Sequence, residues 1–415
     1  MNKLIQIFKG FSPAIKSLLL AQAVYGIGYG VFTVLLNLYL SGIGYSENQI
    51  GRILALQTLC SALMSMPLGV LADKTSRKCT YITGIICLAT GYTIICLSRS
   101  LSVIMSAVCV SGTGSGALLV SVLPYLQENS QDKQRPYIFS LNSSLTWITS
   151  ILSGFIAGWL PKILEYLFPA FMGELATRLQ YSLWVGVIFV LFTLIPAVKM
   201  KVATDSDKQA KKQPSPYERF LEDNQPQNPI LLMARFGLVN LFIGFGAGMI
   251  VPYFNLYFRD WVGASIPEIG TVFAMGQFGT ALGAMLSPVL AIRLGLVRGV
   301  VLSQMLSLPF MLWMAYTHNF AICAFCFIFR NAFMNMCTPM QQEILMKLIP
   351  RYLRARASAV NSMSWNFAWA VAMFFSGGII KDYGYDSSLK IAAGSYFIAS
   401  LLYYRFFNTR IKNAK

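Results

Sequence analysis

Arg330 is the one charged side chain that falls well inside an apolar run, about ten residues into a hydrophobic segment spanning roughly 319–346. Burying a guanidinium in hydrocarbon is costly unless something compensates it. None of the 16 acidic residues falls at a similar depth. The partner must then be a Tyr or Asn dipole, a backbone carbonyl, water, or an anionic group on a bound solute. Arg330 sits about 100° around the helix from Asn331, at the flank of a polar stripe, so a structural cation or an outward-snorkelling side chain is the alternative. That stripe, Asn331, Asn335, Thr338 and Gln342, recurs at steps of three and four. A second one, Gln22, Tyr25, Tyr29, Thr33 and Asn37, lies within about a third of a helix circumference. Lipid does not tolerate such faces, which therefore should border a hydrated central cavity. Asn240, Asn255, Gln277, Trp147, Asn361, Trp365 and Trp369 are further candidates, with interhelical packing the alternative for each tryptophan.

The chemistry these residues offer is recognition by hydrogen bonds and ring faces. One histidine, His318, and no serine–histidine arrangement or clustered intramembrane carboxylates leave no catalytic constellation to assign, so no enzyme is expected. Cys323 and Cys326 form a CxxC by spacing alone, in an apolar helix without partner ligands, and the eight cysteines follow the apolar segments as packing residues do. No metal and no cofactor is implied.

The elements that must position these residues are membrane spans. Of 415 residues 56% are hydrophobic and 12% charged, and the mean hydropathy is +0.58. That is not the composition of a soluble protein. Apolar runs of 18 residues or more, each long enough to cross a hydrocarbon core of about 30 Å, recur at roughly 15–41, 47–72, 79–98, 101–126, 136–160, 178–198, 231–258, 266–292, 297–316, 319–346, 356–380 and 386–407. The fold class expected is an all-α membrane protein of twelve transmembrane helices. The first run is too long for a cleavable signal and lacks a small-residue cleavage site. Before it, Leu4, Phe8 and Phe11 beside Lys3 and Lys9 suggest a short surface helix. The connection 161–178 carries Ile163, Leu164, Leu167, Phe168, Phe171 and Leu175 at helical spacing and is expected to lie along the outer membrane surface.

With the N-terminus inside, 25 of the 33 Lys and Arg fall on inner segments, and seven on outer ones. This positive-inside bias places both termini in the cytoplasm, in a plasma membrane or bacterial inner membrane. The net charge of +17 thus reports topology and contact with anionic headgroups, not nucleic acid. The polar, proline-bearing stretch 199–229 reads as a cytoplasmic tether between bundles 1–198 and 230–415.

The two halves repeat one another. Asn37-Leu38-Tyr39 returns as Asn255-Leu256-Tyr257, and Gly26, Gly28 and Gly30 as Gly244, Gly246 and Gly248, all displaced by 218. Ile50-Gly51 returns as Ile269-Gly270, Leu71-Ala72 as Leu290-Ala291, and Asn142-Ser143 as Asn361-Ser362, displaced by 219. A duplicated six-span unit is the architecture associated with alternating access.

The whole pattern resembles the major facilitator superfamily, most specifically in Gly69-Val70-Leu71-Ala72-Asp73-Lys74-Thr75-Ser76-Arg77-Lys78, similar to that family's loop signature between spans two and three. The resemblance implies two pseudo-symmetric six-helix bundles and a gating role for Asp73, shared with Arg77 and Lys78, while Ile292 stands where Asp73 aligns in the second half. A helix cap and positive-inside markers are the plainer reading of the same residues. The motif PxxxE ends spans four and ten as Pro124 to Glu128 and Pro339 to Glu343, followed by Arg135 and by Arg351 and Arg354. Such acids and bases would form gating ion pairs or ordinary solvated charges. Span five lacks the Gly-Pro of the family's antiporters, and Val108 stands where an exporter-type arginine would be expected, which weakens drug–proton antiport.

The implied function is a monomeric secondary transporter for a small organic solute, with the lipid bilayer as its other partner and a coupling ion left open. The solute is anionic or zwitterionic if Arg330 holds it; the alternative is export of lipophilic compounds or drugs by aromatic and Met side chains. A non-transporting receptor or sensor on the same scaffold is a third reading.

Overall fold

The computed structural model describes residues 11–131, 134–170, 173–201, 229–350 and 353–412. The N-terminal surface helix and most of the tether lie outside them. Among the described residues there is no strand. The first six helices are α1 (Pro13–Gly42), α2 (Glu47–Lys74), α3 (Arg77–Leu97), α4 (Leu101–Glu128), α5 (Arg135–Leu167) and α6 (Leu175–Phe192, resumed over Leu194–Val198). The second six begin with α7 (Pro229–Ile250), which continues through a 3-10 turn at Val251–Tyr253 and a π-helical turn at Tyr257–Trp261. Then come α8 (Ile266–Leu294), α9 (Leu296–Met314), α10 (Phe320–Leu348) and the helical stretch Arg354–Lys412.

That last stretch runs 59 residues, about 88 Å at 1.5 Å per residue and far beyond one bilayer crossing. It is two helices. Gly384 has φ +82°, a left-handed conformation open to glycine because it has no Cβ, and it separates α11 (354–383) from α12 (385–412). Twelve apolar helices result among the described residues.

Local chemistry sets the helix starts. Ser12 accepts from the Ile15 amide at 3.4 Å ahead of Pro13, Ser76 from Cys79 at 3.0 Å, and Asn319 from Ile322 at 3.2 Å. Ser265 and Glu268 form a reciprocal capping box, Glu268 accepting from the Ser265 amide at 2.8 Å. Each satisfies amides that a helix terminus leaves open. The connection from 161 begins as helix. Helix α5 continues through Pro161 to Leu167, because a proline removes one amide donor without forcing the chain to stop where the flanking residues favour helix. Arg178 pairs with Glu165 at 2.5 Å just beyond.

The repeat is structural as well as sequential. In α1, Gly26 and Gly30 back onto Thr149 and Ser153 of α5, and Gly28, on the opposite face, backs onto Gly186 of α6. In α7, Gly244 and Gly248 back onto Trp365 and Trp369 of α11, and Gly246 onto Ala392 and Tyr396 of α12. Small residues let helix backbones approach closely where hydrophobic burial offers no drive between helices. The same three glycines thus seat the same two neighbours in each half.

The chain divides into two compact units, Met1–Tyr45 with Leu56–Lys211, and Ser46–Ala55 with Lys212–Lys415. The opening turns of α2 pack within the second unit, where the Arg52 guanidinium lies 5.7 Å from the Phe374 ring centre.

Candidate functional site

In the first unit the stripe of α1 is divided by depth. Tyr25 and Tyr29 stack with ring centres 5.4 Å apart, and Tyr29 stays 42% exposed. Gln22 donates to the Tyr81 hydroxyl of α3 at 3.3 Å. Thr33 turns its hydroxyl back onto the Tyr29 carbonyl at 3.1 Å. Asn37, by contrast, is buried. Trp147 of α5 is half-buried and Asn142 of the same helix has a carbonyl oxygen with no hydrogen-bond partner.

The signature loop forms a charged cluster in this unit. Arg77, the first residue of α3, pairs with Asp73 one turn earlier and with Glu128 of α4 at 3.4 Å, and its side chain is 12% exposed. Gly69 lies against Val120 of α4, whose carbonyl accepts from Arg77 at 3.5 Å. Lys78 donates to the Val198 carbonyl at 2.6 Å. Asp73, Arg77 and Glu128 are therefore brought together, whereas Arg135 donates to Ser130 and to the Gln127 carbonyl, both at 3.3 Å.

In the second unit Arg330 is 3% exposed. Its two terminal nitrogens donate to the Tyr396 hydroxyl of α12 and to the Asn331 side-chain carbonyl, both at 2.8 Å. The guanidinium carbon lies 5.5 Å from the ring centres of both Phe254 and Tyr396. Neutral dipoles and ring faces, attractive to a cation through their quadrupoles, surround the charge. Its Nε has no hydrogen-bond partner. The arrangement continues into a buried polar chain. Ser400 donates to the Tyr396 carbonyl at 2.9 Å and to Gln304 of α9 at 2.8 Å.

The other candidates of this unit separate into buried and open groups. Asn255 is buried, its side-chain oxygen accepting from the Leu256 amide at 2.9 Å. Asn335 donates to the Asn331 carbonyl of its own helix at 2.9 Å. Thr338 is exposed and Gln277 half-buried. Asn361 of α11 accepts a hydrogen bond from Asn240 of α7. Trp365 and Trp369 stack with ring centres 4.7 Å apart, both half-buried. Where α10 and α11 join, a crevice of about 540 Å³ is lined by Pro339, Gln342, Glu343, Leu345, Met346, Ser358, Asn361 and Ser362. Glu343 pairs with Lys347 at 2.6 Å, and Arg354 donates to the Ile349 carbonyl at 3.2 Å.

Tyr396, Phe254, Tyr81 and Gln304 were not singled out by sequence pattern. Tyr396 lies 66 positions from Arg330, and nothing local marks the pairing. Cys323 and Cys326 are buried free thiols, and Cys323 lies 3.2 Å from the Tyr257 hydroxyl. Among the described residues no group of His, Cys, Asp and Glu side chains is gathered that could hold a metal.

The family model of the Major Facilitator Superfamily matches residues 18–234 and 236–415. The chain belongs to the major facilitator superfamily. The quinolone resistance protein NorA of Staphylococcus aureus is 24% identical over 257 residues, 60% of each chain. This chain thus spans about 60% of the length of the curated relatives it matches. Among solved structures, nucleoside transporter NupG superposes with a TM-score of 0.76 at 14% identity, covering 95% of this chain and 99% of its own. A bacterial homologue of the human lysosomal transporter Spinster gives 0.76 at 15% identity, covering 97% and 99%. The D-xylose-proton symporter gives 0.73 at 12%, covering 95% and 98%. At these identities the likeness to the solved structures is one of fold.

Proposed function

We propose that this protein is a secondary transporter that carries amphipathic, aromatic organic compounds across its membrane by alternating access. The observation that carries the reading is the enclosure of Arg330. Arg330, the only charge at mid-span depth among the described residues, is enclosed by Tyr396, Asn331 and Phe254 of its own bundle. The ring pairs Tyr25–Tyr29 and Trp365–Trp369 remain partly open. Stacked aromatic faces bind flat apolar solutes and tolerate variation in them. The similarity to a protein named for quinolone resistance supports an aromatic substrate, and we read the direction of movement as outward. The distribution of Lys and Arg supports cytoplasmic termini in a plasma membrane or bacterial inner membrane.

A second reading, an anionic or zwitterionic solute, is favoured by the unpartnered Nε of Arg330. Flux into proteoliposomes separates the two, with and without an imposed proton gradient. The first reading expects movement of a fluorescent aromatic amphiphile that excess small carboxylate does not inhibit. Carriage of small carboxylates with no movement of the aromatic compound would overturn it.

A further inference from the structure

Among the described residues lining the crevice where α10 meets α11, the Glu343 carboxylate is the single ionisable side chain, set among neutral amide and hydroxyl groups with Met346 and Leu345 as apolar wall. The crevice volume of about 540 Å³ lies within the range of roughly 300–1,000 Å³ common to small-molecule sites. The floor is fixed, because Asn361 is hydrogen-bonded to Asn240 of α7.

The two PxxxE acids differ in what holds them. Glu128 and Glu343 close the same PxxxE motif in the two halves. Glu128 is held by Arg77, the first residue of α3, whose side chain is only 12% exposed. Displaced by 219, the position of Arg77 becomes Leu296, the first residue of α9, just as the cap Ser76 becomes Gly295. Asp73 likewise becomes Ile292. Displaced by 219, Glu128 itself becomes Lys347, so the second half keeps none of the three charges of the cluster, and Glu343 stands one turn earlier on its helix, where the first half has Pro124. What pairs with Glu343 is Lys347, one turn along the same helix, with the two side chains 49% and 58% exposed. A pair so open to solvent is weakly held and readily exchanged for another cation.

We propose that this crevice is a docking site for the cationic end of an amphipathic solute, with Glu343 as its counter-charge and Met346 and Leu345 receiving the apolar body. The proposal rests on the aromatic-solute reading above and adds a charge requirement to it. Under the orientation proposed there, the site lies at the cytoplasmic end of the bundle, where outbound cargo enters. A carboxylate in a concave, partly apolar setting attracts a soft organic cation and disfavours an anion.

Equilibrium dialysis on the purified full-length protein tests it, with radiolabelled tetraphenylphosphonium as the permanent cation and triphenylphosphine oxide as a neutral aromatic probe. Glu343→Gln is expected to weaken phosphonium binding about tenfold and leave the phosphine oxide unchanged. Lys347→Gln, which removes the competing ammonium, should tighten phosphonium binding severalfold. Both side chains are about half-exposed, and thermal unfolding checks that each variant is folded. Equal phosphonium binding by wild type and Glu343→Gln overturns the docking site while leaving the aromatic reading intact. Failure of the wild type to bind either probe overturns both.

Discussion

The environment of Arg330 makes an unusual prediction: removing its partner should harm the protein more than removing the arginine itself. Tyr396 supplies a 2.8 Å hydrogen bond to the guanidinium and one of the two ring faces beside it. Tyr396→Phe keeps the ring and deletes the hydroxyl, leaving the buried cation with one hydrogen bond, to Asn331. A hydrogen bond to a charged group contributes about 1.5–3 kcal/mol, and nothing replaces it when the site is closed. Arg330→Met removes the same bond together with the desolvation cost of the guanidinium, several kcal/mol for a buried ion, and fills similar volume with a flexible apolar chain. The net change should be within about 1 kcal/mol of zero. With an unfolding entropy of about 2 cal/mol/K per residue over roughly 200 residues of the second unit, a 2 kcal/mol loss lowers the midpoint by about 5 °C. Thermal unfolding in detergent, followed by tryptophan fluorescence, should then rank Tyr396→Phe about 5 °C below wild type and Arg330→Met close to it. The double variant should sit near Arg330→Met, since the uncompensated charge is gone. The reasoning is refuted if Tyr396→Phe matches wild type while Arg330→Met unfolds several degrees lower.

Two further substitutions probe the scaffold by the same measurement. A Cβ at Gly248 would lie 2.5 Å from the Trp369 carbonyl and 3.0 Å from its Cα, so Gly248→Ala should cost about 1–3 kcal/mol. Gly173→Ala, with nothing within 4 Å, should stay within about 0.5 kcal/mol; equal effects would contradict the close helix seat. Arg77→Gln breaks a pairing with Asp73 and Glu128 on a side chain 12% exposed and should cost about 1–2 kcal/mol. Lys347→Gln, losing an exposed pair, should change stability by less than about 0.5 kcal/mol; the reverse order would show that the signature cluster does not support its bundle.

Much of the architecture was legible because a bilayer admits few solutions. Apolar runs of the right length must be helices, since every backbone amide needs a partner inside hydrocarbon. The glycine triplets 218 residues apart marked the duplication, and the structure shows that each triplet seats the same two neighbouring helices in its half. The helical spacing beyond Pro161 was legible but its continuity with α5 was not, because a proline reads as punctuation and only the folded chain shows that one helix passes through it. Polar stripes on α1 and α10 did not separate open residues from buried ones. Asn37 and Asn255 are sealed, whereas Tyr29 and Thr338 are open, and that difference comes from neighbouring helices that a single-helix pattern does not contain.

The sequence by itself determined the membrane solvent, the span count, the duplication and the loop signature. All of these depend on residue type and on spacing along one chain. The tertiary structure decided what the charges do. Arg330 meets Tyr396 and Phe254 across large sequence separations, and Arg77 takes Glu128 in one half while Glu343 borders a crevice in the other. A buried charge takes its meaning from whatever lies within a few ångströms of it, and only the folded chain specifies that neighbourhood.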